Sequence, residues 1–309
     1  MNNYMYYEIP ICNLTSGLKL SLPVHEIIGK SGPVVGITAS IHGDERIGVE
    51  VVRRLVALLR ENEINGTIKM IPVVNPLAFE DINRNTTLDG KNINRIFPGS
   101  YNGTVTDLIA KNLADKFISG LDVYIDVHSA GRDPVVDYIM ITNDEGLSKA
   151  GLAKILYRPA VITPGTSSAY AVSLDIPNVV LELGGGIKDL EYLDINIRAI
   201  VNMLKYKGVV SGTPESREDQ ITVNYIEHLS PKNGGLYVPC ISYDRIATIV
   251  EGEVTLGKIY NPMTLELIEE MKTPYDRNLI ILMRGSVNTV YPGDYAFMIG
   301  NLNSAEGNF

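Results

Sequence analysis

The chain reads as an α/β protein: a mixed, largely parallel sheet flanked by helices, followed by a small all-β C-terminal region. Three observations carry this. Apolar runs such as G-P-V-V-G-I-T-A-S (32–40) and L-D-V-Y-I-D-V (121–127) are nearly continuous, as strands covered on both faces are. They alternate with segments of helical period, the pattern of parallel strands connected through helices. After about residue 210 the helical period is lost, and short β-like runs are punctuated by G-G, E-G, N-P, T-P and P-G turns.

In chain order, strands are predicted at 17–25 and 32–40. Residues 46–60 (R-I-G-V-E-V-V-R-R-L-V-A-L-L-R) carry apolar side chains at helical spacing with Arg and Glu between them, which predicts an amphipathic helix. A strand is expected at 67–74. Residues 75–104 are rich in Asn, Asp, Gly and Pro and lack a period, so they read as a long loop of the kind that often carries function. A helix at 105–119 and a strand at 121–127 follow. Further strands are predicted near 136–142, 158–162 and 178–183, with helices near 146–155, 167–174 and 188–206. S-G-T-P-E-S-R-E-D-Q (211–220) is polar and contains Gly and Pro, so it reads as a linker. The expected domains are residues 1–212 and 213–309.

Composition narrows the function classes. The 309 residues are 45% hydrophobic and 20% charged, enough for a sizeable core. The net charge of −9 argues against nucleic acid as a partner, because phosphate binding needs a basic face. It leaves room for an anionic substrate, since a few arginines in a cleft dominate locally. No basic segment followed by an apolar one opens the chain, and no apolar stretch reaches membrane-spanning length. The expectation is a cytoplasmic protein that binds neither membrane nor nucleic acid. The two cysteines, Cys12 and Cys240, are far apart and read as buried or half-buried free thiols.

Chemistry is concentrated at strand ends. H-G-D-E places His42 and Glu45 just after one apolar run, and Y-I-D-V-H-S places His128 at the end of another. Two imidazoles and a carboxylate are the ligand set of a catalytic zinc site with a fourth position open to water. A strand-to-helix turn can aim His42 and Glu45 at one spot above the carboxyl edge of the sheet, where open α/β sheets place ligands. Asp44 is a weaker candidate donor, and Asp126 a candidate carboxylate behind the ligands. Glu182 ends V-V-L-E-L-G-G-G, where a carboxylate is costly if buried unpaired. It is a candidate base for a metal-activated water. Its glycines would let backbone approach a substrate closely. His25 and His228 lack such context and read as structural or exposed.

Five ordered motifs, H-G-D-E, N-P-L-A-F, D-G-K-N-I-N-R-I-F-P-G, D-V-H-S and L-E-L-G-G, together resemble the succinylglutamate desuccinylase/aspartoacylase family, a branch of the zinc-carboxypeptidase-like hydrolases. The C-terminal β region resembles that family's accessory domain. The resemblance implies one zinc ion held by His42, Glu45 and His128, with Glu182 as general base. It implies that Asn94 and Arg95 bind a substrate carboxylate and that Arg84 polarises the scissile carbonyl. The implied reaction is hydrolysis of the amide of a small N-acyl amino acid or related acylated amine. Many members carry an arginine where this chain has G-T-S-S-A-Y (165–170), which argues against a doubly anionic substrate unless Arg132, Arg158 or Tyr170 compensates. Two other readings stand beside the deacylase: a metallocarboxypeptidase acting on short peptides, and a non-catalytic metal-binding module of the same fold. The expected partner is a small N-acylated molecule; a homo-oligomer is compatible with the sequence.

Overall fold

The structure, a computed structural model, describes residues 2–306. Its first part runs β1 (Asn3–Asn13), β2 (Lys19–Ile28), β3 (Lys30–Ala39), α1 (Ile47–Glu61), β4 (Asn65–Ile71), α2 (Pro76–Glu80), α3 (Val105–Lys116), β5 (Val123–His128), β6 (Val135–Ile141), α4 (Glu145–Ala150), β7 (Ile155–Tyr157), α5 (Ser167–Ser173), β8 (Asn178–Gly184) and α6 (Asp189–Tyr206). Strands then follow one another: β9 (Ile221–Val223), β10 (Ile226–Leu229), β11 (Gly235–Pro239), β12 (Ile249–Glu251), β13 (Thr255–Tyr260), β14 (Leu267–Lys272), β15 (Arg277–Met283), β16 (Asn288–Val290) and β17 (Phe297–Asn301). The fold is the α/β arrangement expected, with antiparallel strands in the C-terminal region.

At the centre of the main sheet, β4, β3, β5 and β8 lie side by side and run parallel. Helices cover both faces. On one side α1 buries Ile47, Val51, Val52, Leu55 and Leu59 beside α6, which contributes Leu193, Ile200, Met203 and Leu204. The i, i+4, i+8 spacing in α1 puts these side chains on one stripe, while Glu50 pairs with Arg53 and Arg54 on the solvent side. On the other side α3 buries Ile109, Ala110, Leu113 and Ala114. Each such apolar side chain larger than alanine contributes roughly 1.5–3 kcal/mol on burial.

Several elements depart from expectation. Residues 3–13 form an edge strand, antiparallel to β2, which the period of the sequence did not announce. The strand expected at 158–162 lies at Ile155–Tyr157, because pairing with β6 and β9 selects that stretch. The 75–104 segment contains α2 and a short 3-10 turn, Ile93–Arg95. Asn75 caps α2 by accepting from the Ala78 N–H at 3.2 Å, and Pro76 occupies the first turn, where its missing N–H costs nothing. The loop is also tied down at its far end. Asp89 accepts hydrogen bonds from the Thr104 hydroxyl and from both the N–H and the hydroxyl of Thr106, at the start of α3. Cys240 is exposed rather than buried, and Cys12 is half-buried.

The C-terminal strands divide into two groups. β14, β13, β11 and β16 make a separate four-stranded antiparallel sheet. By contrast, β15, β17 and β10 extend the main sheet beyond β6, and β9 pairs with β7. The backbone ladder therefore crosses residue 212. A fragment ending at 212 leaves β6 and β7 with unpaired edges and uncovers Ile155, a fully buried residue that packs among C-terminal side chains. Such a fragment should aggregate or lose cooperative unfolding in a urea titration followed by circular dichroism. A soluble fragment with a single sharp transition would contradict this.

Candidate metal centre and active site

The site is assembled where three parallel strands end together. β3, β5 and β8 are immediate neighbours, and their registers pair Ala39 with Val127 and His128 with Glu182. The carboxyl ends of all three strands thus fall at one edge of the sheet. Beyond β3 the chain turns through Ser40, a buried non-glycine residue at φ 50°. Such a conformation costs on the order of 1–3 kcal/mol and is held only where the surroundings enforce it. The turn continues through Gly43, where a Cβ would come within 2.0 Å of the Ala78 carbonyl group in α2. Glycine is therefore required between His42 and Asp44 for α2 to pack against the turn.

His42, Glu45 and His128 are buried, and their candidate ligand atoms all lie within 4.8 Å of one another. Both imidazoles turn Nδ1 inward: His42 Nδ1 is 2.7 Å from Glu45 Oε1 and His128 Nδ1 is 2.9 Å from Glu45 Oε2. Both are held from behind at Nε2, His42 by Asn92 Oδ1 at 3.2 Å and His128 by Asp126 Oδ2 at 3.0 Å. An Nε2–H donated to those oxygens would leave the Nδ1 lone pairs to a metal, the arrangement in which histidine ligates one; without the ion a proton on His128 Nδ1 takes its place. Two lone pairs and a carboxylate facing one another call for a positive charge among them. The donor spread is close to what one ion with ligand bonds of about 2 Å spans, and the nitrogen and oxygen donors suit zinc. The chemistry of the set therefore fits a divalent metal.

The outer contacts close into a ring. Asp126 accepts from the Thr38 and Ser167 hydroxyls, each at 2.7 Å, besides its contact with His128. The Ser167 N–H donates to Asn94 Oδ1 at 2.9 Å. The Asn94 N–H in turn donates to Asn92 Oδ1 at 2.9 Å, the same oxygen that faces His42. The two imidazoles are thus linked through α5 and the 92–95 turn. Burial opposes charge on His128, yet Asp126 and Glu45 on either side raise its pKa well above the usual histidine range. Burial likewise opposes charge on Glu45, and the two histidines nevertheless hold it below the usual carboxylate range.

The other residues singled out in the sequence face the same cavity, about 310 Å³ in volume. Arg84, half-exposed, lies 3.3 Å from both Glu45 Oε1 and His42 Nδ1 through Nη1. Asn94 and Arg95 line the cavity from the 75–104 segment, and Arg95 Nη1 donates to the Asn94 carbonyl at 2.6 Å. Glu182 also lines it and has no hydrogen-bond partner among the described residues. Burial, reinforced by the charges of Glu45 and Asp126, pushes the Glu182 carboxyl up to about 8 against the pull of His128 and Arg84.

Some expectations fail. Gly184, Gly185 and Gly186 do not border the cavity; each has positive φ, and a Cβ on them would strike Tyr192, Pro134 or Asp133. They serve close packing within the protein. Arg158 is engaged by Glu145 at 3.0 Å and Glu306 at 3.1 Å, and neither it nor Arg132 nor Tyr170 lines the cavity. His228, read as structural or exposed, is exposed and in addition lines the cavity, together with Leu282, Tyr295 and Met298. No local motif marks these four residues. Leu282, Met298 and His228 are placed by the pairing of β15, β17 and β10 onto β6, and Tyr295 by the turn that leads into β17.

Residues 31–206 match the succinylglutamate desuccinylase/aspartoacylase catalytic domain. The chain belongs to this family, whose members are amide-hydrolysing deacylases. The N-alpha-acetyl-L-2,4-diaminobutyric acid deacetylase of Halomonas elongata is 29% identical over 222 residues, covering 67% of this chain and 64% of that protein. The chain thus spans less than two thirds of that relative's length. A succinylglutamate desuccinylase of Silicibacter sp. TM1040 superposes with a TM-score of 0.84 at 23% identity, over 97% of this chain and 94% of its own. A succinylglutamate desuccinylase/aspartoacylase of Rhodobacter sphaeroides gives 0.81 at 25% identity, over 97% and 96%. Among the described residues no helix is long and apolar enough to cross a membrane.

The ring of outer contacts makes a prediction. Asp126→Asn removes the negative charge behind His128 and should weaken divalent-metal binding about 10–100-fold, read by chelator competition. Undiminished affinity in a variant that unfolds at the wild-type temperature would show that Asp126 does not tune the ligand.

Proposed function

We propose that the protein is a zinc-dependent deacylase that hydrolyses the amide of a small N-acyl amino acid or related acylated amine. The observation that carries this reading is the inward-facing Nδ1–carboxylate–Nδ1 set of His42, Glu45 and His128, with the unpartnered Glu182 on the next strand, in one cavity. Zinc held by those three residues would supply Lewis acidity and a water of lowered pKa, near 7.

The chain's own groups divide the remaining work. Glu182 takes a proton from the water that attacks the amide carbon. It returns that proton to the nitrogen as the C–N bond breaks, giving a carboxylic acid and a free amine. Arg84 donates to the carbonyl oxygen as charge gathers there; removing one such donor typically costs about 10²–10³ in rate. Arg95 and Asn94 hold the substrate carboxylate, the guanidinium through two parallel hydrogen bonds, and so convert binding into orientation. The metallocarboxypeptidase reading is disfavoured because side chains of β10, β15 and β17 wall the cavity, and about 310 Å³ suits a small molecule rather than a polypeptide. A non-catalytic module leaves the half-buried, unpartnered Glu182 side chain without a purpose.

Four outcomes test the assignment. Amine release should be seen from some N-acyl amino acids or acylated diamines with the zinc-loaded protein and not from short peptides. Turnover should stop on metal removal and return with zinc; activity surviving exhaustive chelation rejects the zinc assignment. Glu182→Gln should bind zinc normally and lose about 10²–10⁴ in kcat, whereas retained turnover rejects Glu182 as the base. Arg95→Ala should raise KM selectively for carboxylate-bearing substrates, and an unchanged KM removes that role.

A further inference from the structure

The sheet face that carries Glu182 continues well beyond it. Residues paired across neighbouring strands point to the same face, so the face can be followed by register. Glu182 on β8 pairs with Tyr138 on β6. Val136, two residues along β6, pairs with Leu282 on β15. Leu282 pairs with Met298 on β17, and Met298 with His228 on β10. All of these line the cavity that contains the metal-ligand set. From β8 to β10 there are four inter-strand steps, about 19 Å at about 4.8 Å each.

Charge is confined to one end of this floor. The lining residues with formal charge are Glu45, Arg84, Arg95 and Glu182, which belong to the metal turn, the 75–104 segment and the end of β8. Beyond Glu182 the floor is Val136, Tyr138, Leu282 and Met298, continued on β7 by Tyr157, which pairs with Met140; Val161 and Ile162 also line the cavity. The Tyr138 and Tyr157 rings meet edge to face with centroids 5.9 Å apart. At the far end His228 lies against the Tyr295 ring, centroids 5.5 Å apart. A second carboxylate or an ammonium lying on this floor would lose water and find no opposite formal charge.

We infer that the substrate carries, beyond the scissile amide, an uncharged apolar arm that lies on the floor formed by Val136, Tyr138, Leu282 and Met298. This rests on the deacylase reading and names its substrate class. The arm belongs to the acyl group or to the amino-acid side chain; the chemistry is shared, and chain-length series tell the two apart. A methylene added inside an apolar pocket changes kcat/KM by roughly 10–200-fold, so preference should climb steeply until the floor is filled.

The test reads binding with turnover blocked. Zinc-loaded Glu182→Gln protein is titrated calorimetrically with two series. One is N-acetyl-alanine, -norvaline, -norleucine and -phenylalanine; the other is N-acetyl-, N-butyryl- and N-hexanoyl-glycine. Affinity should rise at least about tenfold along one of them, which identifies the side that bears the arm. N-acetylaspartate and N-acetyl-2,4-diaminobutyrate should bind at least about tenfold more weakly than the best apolar ligand. Met298→Glu, checked for an unchanged unfolding temperature, should cancel the gain. A flat response in both series, or tightest binding of a charged arm, overturns the inference. Wild-type protein separates it from the broader assignment. If apolar ligands bind tightly and release no amine, the hydrolase reading falls and the apolar floor stands. If amine is released fastest from the aspartate or diaminobutyrate compound, the hydrolase reading stands and the apolar floor falls.

Discussion

The parallel register of β3, β5 and β8 is the constraint on which the site depends. His42 and Glu45 follow β3, His128 closes β5 and Glu182 lies near the end of β8. Side chains alternate between faces along a strand, so a slip of one residue between β5 and β8 would move Glu182 to the opposite face from His128. The register is fixed by burial: β5 is buried along its whole length, and β8 at every position except Glu182. The apolar core therefore sets the geometry of the polar edge. The same pairing brings Thr38 opposite Asp126, and their 2.7 Å hydrogen bond braces the carboxylate behind His128.

Carboxylates buried close together are costly, and the site shows how the cost is distributed. Asp126 is satisfied by Thr38, Ser167 and His128. Glu45 is satisfied by two histidines, the Ser129 N–H and Arg84. Of the three, only the Glu182 side chain has no hydrogen bond among the described residues, and burial, reinforced by the charges of Glu45 and Asp126, raises its pKa. A satisfied carboxylate is held still, while an unsatisfied one beside a cavity is ready to exchange a proton. The ring through Asn92, Asn94 and Ser167 further ties the ligands to the segment that presents Arg95. The His42–Glu45–His128 set and the Asn94–Arg95 turn thus share one hydrogen-bonded frame.

The C-terminal strands do more than extend the sheet. Through Leu282, Met298 and His228 they continue the floor begun by Val136 and Tyr138 on β6 and form its far end, while His42, Glu45 and His128 come wholly from the first part of the chain. The cavity has a charged end and an apolar end, and the boundary between them falls at Glu182 and Tyr138, which are paired in register.

By itself the sequence determined what depends on neighbours a few residues apart. The helical period of α1, the apolar runs of β3 and β5 and the spacing of His42 and Glu45 are local patterns. The chemistry of the donor set follows from them. Tertiary structure alone decided what depends on long-range pairing. It placed β1 on the edge of the sheet, joined β15 to β6, turned the glycines after Glu182 toward Tyr192, Pro134 and Asp133, and paired Arg158 with Glu145 and Glu306. It also brought His228 into the cavity, a hundred residues from His128, because a strand's partner and register are set by the sheet as a whole and leave no mark at the residue concerned.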